Sequence, residues 1–174
     1  MGATPELRWV GLMRKHIGLK EIKGEQHSPI ILNYIDKAFA AIGKKNWIKD
    51  DETPWCGSFL GGVFAESNLA KHVPIEFYRA LSWANSGVKL TKPCYGCVVV
   101  FKRSGGGHVG IVVGQTKTGS LKVLGANQSD QVNIMDFPTN EVVAYRWCGD
   151  TAAPSQHRFE LPILPAGTIR SSLT

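Results

Sequence analysis

The chain has 174 residues, enough for one domain with a substantial core, and a globular composition of 43% hydrophobic and 20% charged residues with 19 glycines. Its net charge of +6 favours polyanionic partners. The basic residues come at most in pairs, such as Arg14-Lys15, Lys44-Lys45 and Lys102-Arg103, which argues against nucleic-acid binding as the main function. No apolar run approaches the roughly 20 residues that cross a bilayer, so stable membrane insertion is not expected.

The opening MGATPELRWVGLMRKH has neither a basic leader nor an apolar core, and Glu6 stands where myristoylation needs Ser or Thr. A protein made in the cytoplasm without a signal peptide is expected. Thr4-Pro5 reads as an N-cap and first helical position, with Leu7, Val10, Met13 and Ile17 at near-helical spacing and Gly18 as the stop. Ser28-Pro29 repeats that start ahead of IILNYIDKAFAAIG, with Gly43 as the stop. Pro54 begins a third helix, WCGSFLGGVFAESNL, with Phe59, Val63 and Phe64 on its apolar side. Each glycine inside that helix costs on the order of 1 kcal/mol relative to Ala, which implies close approach to another backbone. IEFYRALSWANSG after Pro74 reads as a short fourth helix.

From Cys97 onward the period changes to two. CVVVFKR, HVGIVVGQ, LKVLGANQ, VNIMDF and VVAYRW read as about five strands, separated by the turn-forming SGGG, TKTGS, SDQ and PTNE. Loops this short favour antiparallel neighbours. Helices first and strands after define an α+β domain over residues 1–150, its N-terminal helices packed on an antiparallel sheet. Residues 151–174 hold three prolines without periodicity and read as a C-terminal extension, extended or partly disordered.

Four cysteines, at 56, 94, 97 and 148, are too few for a disulfide scaffold. Cys94-Tyr95-Gly96-Cys97 is a lone C-x-x-C; plain structural thiols, a redox-sensitive pair and a metal site all fit it, and a zinc site lacks an evident set of further ligands. Neither a metal nor a cofactor is expected. Cys56, at the start of a helix, has the setting of a nucleophile, because a helix N-terminus favours the thiolate. A thiol nucleophile needs a base and the base needs an orienting partner. Of five histidines, 16, 27, 72 and 157 read as solvated surface. His108 opens a strand after Ser104-Gly105-Gly106-Gly107, with Gly110 two residues on leaving room beside the imidazole. Asn127 and Gln128 end the neighbouring strand, where an amide oxygen would accept from the imidazole and fix its tautomer. Asp50, Asp51 and Glu52 precede the nucleophile as charges complementing the helix dipole or as a polar wall for substrate.

DETPWCGSF, GGHVGIVVG and VLGANQSDQVNI, in that order, resemble the CHAP and NlpC/P60 group of papain-like cysteine hydrolases, and most of all its single-domain, phage-borne branch. WVGLMRKHIGLKEIKG also resembles the helix that opens those domains, so the likeness spans roughly residues 5 to 148. The resemblance implies a papain-like fold and a monomeric enzyme that cleaves an amide bond in peptidoglycan, made in a host cytoplasm and acting at the cell wall in the periplasm after release. It implies Cys56 as nucleophile, His108 as base and Asn127 as third member, with Gln128 the second choice. Asp51, Trp55 and Gln128 become substrate-binding candidates. Two departures stand out: Gly125 replaces an acidic residue common two positions before that Asn, and Gly96-Cys97 replaces a usual Gly-Asp.

Within this reading a phage endolysin, an interbacterial toxin and a tail-associated wall hydrolase share one chemistry. Two other classes compete. A glycosidase would use two carboxylates across a cleft, such as Glu52 or Glu66 with a partner, and leave Cys56 idle. A non-catalytic wall-binding module would bind without turnover. A zinc amidase is disfavoured because the chain has no H-E-x-x-H.

Overall fold

The structure is a computed structural model and describes residues 4–167. Helix α1 (Arg8–Lys15) starts later than Thr4-Pro5 implies: Leu7 is its N-cap, and the Leu7 N–H is taken by the Glu6 carboxylate at 2.9 Å. Helix α2 (Pro29–Ala41) begins where expected, with Ser28 Oγ accepting from the Ile31 N–H, and Gly43 follows it at φ 67°. Helix α3 (Cys56–Glu66) packs on α2 and on the sheet, and its first nine residues are all buried. Its glycines are the contact surface. A Cβ at Gly57 would collide with the Phe77 carbonyl, one at Gly61 would lie 2.9 Å from Ala38 Cβ, and one at Gly62 would collide with the Tyr34 carbonyl. Gly62→Ala is therefore expected to destabilise the protein by about 1–3 kcal/mol through overpacking, despite alanine's better helix propensity. Urea unfolding of the two proteins measures it.

The fourth helix does not form as expected. Residues 74–79 make turns closed by Phe77 N–H to Pro74 O and Arg79 N–H to Glu76 O, and only Ala80–Asn85 coils, as a 3₁₀ helix. The physical reason lies at Phe77. Its carbonyl accepts from the Trp83 indole at 2.9 Å and lies against Gly57, so it does not serve a helical ladder.

Six strands form one antiparallel sheet: β1 (Val88–Leu90), β2 (Val98–Arg103), β3 (Gly106–Gln115), β4 (Leu121–Gly125), β5 (Asn133–Phe137) and β6 (Val142–Trp147). Their spatial order is β1-β6-β2-β3-β4-β5, so β6 returns to pair with β2 and with the edge strand β1. The five strands read from the period are present. β1 adds a sixth, three residues that show no period and exist only by pairing Val88 with Trp147 and Leu90 with Tyr145.

The described part of the extension lies on the domain. The Arg158 carbonyl accepts from the Tyr95 N–H, and residues 162–164 run parallel to β3, bonded to both backbone groups of Gln115. The buried Lys122 ammonium donates to the Gly167 carbonyl and pairs with Asp136. A 3₁₀ helix, Gln156–Phe159, interrupts this otherwise irregular stretch; residues 168–174 of the extension lie outside the described residues.

Candidate active site

Trp55 is the N-cap of α3, and Cys56 is the first helical residue. The turn before it is built from the acidic triplet. Asp50 accepts from both the N–H and the hydroxyl of Thr53, and Glu52 accepts from the Gly24 N–H. Asp51 is 0% exposed and takes hydrogen bonds from the Ile22 N–H, the Ser28 N–H and His27 Nδ1 at 2.7–3.0 Å. Burial would raise the Asp51 pKa, but the Ile22 and Ser28 N–H groups and His27 outweigh it and hold the carboxyl below its usual range. Asp51 therefore ties the 21–28 loop to the helix start. It has no surface to offer a substrate, and the expectation of such a contact is corrected. Trp55 is corrected likewise: it is fully buried, its indole facing the Glu21 carboxylate at 3.3 Å.

The Cys56 thiol is 7% exposed and lies by the backbone N–H of Val109, the residue after His108. Burial raises its pKa above the ordinary thiol value, opposed by the N–H groups of Val109, Gly57 and Cys56 itself and by the Arg103 charge. The helix N-terminus does favour the thiolate, as expected, but desolvation is the larger effect here.

β3 begins at Gly106, so His108 is its third residue, opposite Phe101 on β2. The imidazole is 4% exposed and stacks with Phe137 at 5.3 Å and Phe101 at 6.3 Å between centroids. Its Nε2 is 2.9 Å from Gln128 Oε1. The carboxamide cannot turn over, because its NH2 donates to Val123 O, Asn133 O and Asn133 Oδ1 at 3.2, 3.0 and 2.8 Å. A reversed amide would set oxygen against three oxygens. Oε1 must therefore face the ring, Nε2 must carry the proton, and Nδ1 keeps the lone pair.

The acceptor is thus Gln128, where Asn127 was the first choice. Asn127 is partly exposed at φ 55°, a left-handed conformation that Asn tolerates, and makes no side-chain hydrogen bond among the described residues. It bends the chain so that the next side chain turns inward. Gln128 in turn is 3% exposed and bonded throughout, so its expected substrate contact is also corrected to a positioning one. Gly125 explains how this fits. A Cβ there would overlap Gln128 Oε1 and lie 3.4 Å from His108 Nε2, so the carboxamide occupies the space a side chain at 125 would take. Gly110 does not serve the imidazole as expected; its vacancy faces Val123 Cγ1 at 2.5 Å.

Burial pushes the His108 pKa down to about 4, with the Gln128 bond opposing and the Arg103 charge assisting. The ring is neutral at pH 7. Unfolding restores a value near 6.5, so stability is fully present above that pH and is lost as pH falls towards 4. The loss at His108 is about 3 kcal/mol by proton linkage, and His16 and His72, lowered by burial, add in the same direction. Unfolding free energies measured from pH 7 to 4 should fall accordingly, and His108→Phe should flatten the slope.

Cys56 opens into a cleft of about 680 Å³, walled by Tyr78, Arg79 and Ser82 on one side and Gly105–Gly107 on another. Glu66 sits at the far end of α3, about 15 Å away at about 1.5 Å per residue, paired with Lys37. Neither it nor Glu52 lines the cleft. Of the histidines read as solvated, His16 meets the Tyr34 hydroxyl at 2.9 Å and His27 meets Asp51. Cys94 and Cys97 are buried in a turn closed by Cys97 N–H to Cys94 O, and no group of three metal-ligating side chains occurs among the described residues. No family model, curated protein or solved structure matches the chain.

Proposed function

We propose that the chain is a papain-like cysteine hydrolase that cleaves an amide bond of bacterial peptidoglycan. The observation that carries this reading is the placement of a cleft-lining thiol at a helix start beside β3, whose imidazole is locked with Nδ1 free by the Gln128 carboxamide. Both partners are neutral at rest, since burial raises the thiol pKa and lowers the imidazole pKa. As Cys56 Sγ attacks the carbonyl carbon, its proton passes to His108 Nδ1, and Gln128 Oε1 steadies the imidazolium through Nε2–H. The backbone N–H of Cys56, in the first helical turn, is the donor this reading assigns to the oxyanion. His108 then protonates the leaving amine, and water hydrolyses the thioester.

Peptidoglycan as substrate rests on the likeness of three ordered motifs to the CHAP and NlpC/P60 group, and on a basic surface suited to an anionic envelope. No Asp or Glu among the described residues lines the cleft, which weighs against a glycosidase. The test is digestion of purified Gram-negative sacculi with mass spectrometry of the released fragments. New amino and carboxyl ends are expected, their masses naming the bond as sugar–peptide or within the stem. New reducing sugar ends would instead mean glycosidase chemistry. Binding without release would favour a wall-binding module.

A further inference from the structure

The cleft around Cys56 is electrostatically one-sided. Among the described residues that line it, the one charged side chain is Arg79, and none is Asp or Glu. Among the described residues Arg79 pairs only with Glu76, at 3.8 Å with both side chains more than half exposed, a pairing too loose and too solvated to occupy the guanidinium. A second cation, Arg103, does not line the cleft but stands near enough for its charge to act on the Cys56 thiol. Arg103 ends β2 and pairs in register with Gly106 of the glycine wall. Its guanidinium lies over the Phe137 ring at 5.1 Å, and Phe137 is itself stacked on His108. That stacking orients the planar group beside the base without consuming its hydrogen-bond donors. Arg103 has no carboxylate within ion-pair distance among the described residues. Ser82 and Asn85, on the cleft wall, likewise make no side-chain hydrogen bond there.

Arg79, on the cleft wall with only a loose and solvated pairing to Glu76, and Arg103, whose charge acts on the Cys56 thiol and which has no ion-pair partner among the described residues, together make a receptor for an anion. The planar fork matches a carboxylate, which it binds with two parallel hydrogen bonds. We propose that the cleft selects peptides carrying a free carboxylate close to the scissile amide, held by Arg79 and Arg103. The inference rests on the hydrolase reading for its meaning, and it concerns binding, so it is tested apart from turnover.

The probes are a muramyl tripeptide with free stem carboxylates and its counterpart with every stem carboxylate amidated. Calorimetric titration into the Cys56→Ala protein reads binding alone; the wild type with the same peptides reads turnover. The free acid is expected to bind at least about tenfold more tightly than the amide. Arg79→Gln and Arg103→Gln, both at exposed positions and checked by thermal melting, should each erode that preference, and in the wild-type background should raise KM more than they lower kcat. Equal affinity for acid and amide, no measurable binding of either, or a preference untouched in both arginine variants would overturn the inference. A clear acid preference without turnover would leave it standing and remove the hydrolase reading. Turnover of both peptides at equal rates would do the reverse.

Discussion

The Cys56→Ala protein should release no fragments from sacculi above background, a loss of at least about 10⁴-fold in kcat if the thiol carries the bond-breaking step. The size follows from the site. Without Sγ, His108 has only water to activate, and the helix N–H groups and cleft walls supply the remaining acceleration. The substitution removes one sulfur from a residue already 7% exposed, at a helical position where alanine is favoured, so folding should survive. Unchanged thermal melting together with lost release is the expected result. Equal digestion by both proteins would sink the Cys56 assignment.

Gln128→Leu should lower kcat by about 10²–10⁴-fold, because the imidazole loses the acceptor that fixes its tautomer and orientation and that steadies the imidazolium formed during attack. Stability should fall too, since the Val123 carbonyl, the Asn133 carbonyl and Asn133 Oδ1 lose the Gln128 NH2 in a buried network. Stability alone does not decide the role, so the pH profile is the second readout. Gln128→Leu removes the bond that opposes burial at His108, so the His108 pKa should fall below about 4 and the acid limb of activity should move downward. Gln128→Glu is no substitute, because its second oxygen would face Val123 O, Asn133 O and Asn133 Oδ1. The paired control is Asn127→Gly, which keeps the left-handed backbone and should leave kcat within about twofold. A large kcat loss in the Asn127 variant with none at Gln128 would restore the first-choice assignment.

The part of the site legible in the sequence was the part governed by local chemistry. Pro54 followed by apolar spacing marked the start of α3 and so the position of Cys56. The glycine run before His108 marked a strand start to within two residues. Asn127 and Gln128 could not be ranked that way. Asn is the better turn residue, and that very property takes its side chain out of the site, while Gln128 reaches in because Gly125, three residues earlier at the end of β4, leaves beside His108 the space that the carboxamide fills. Leftover signals were present: a glycine where a side chain would normally pack, and a glutamine with enough length to cross it.

The same division runs through the fold. The period of two, the turn residues and the order of elements were enough for an α+β domain with an antiparallel sheet, because they are properties of neighbouring residues. The Ser28 cap and the Gly43 stop held for the same reason. Only tertiary structure decided the fate of residues 74–79, where the Phe77 carbonyl answers Trp83 in place of a helix ladder, and of β1, whose three residues become a strand by pairing with β6. It decided the acidic triplet as well. Three carboxylates before a nucleophile read equally well as a substrate wall, but Asp51 is buried among N–H donors from a loop more than twenty residues away. Net thiol and imidazole acidity belong to the same category, because desolvation depends on what packs around a group and outweighs the helix dipole that the chain itself announces.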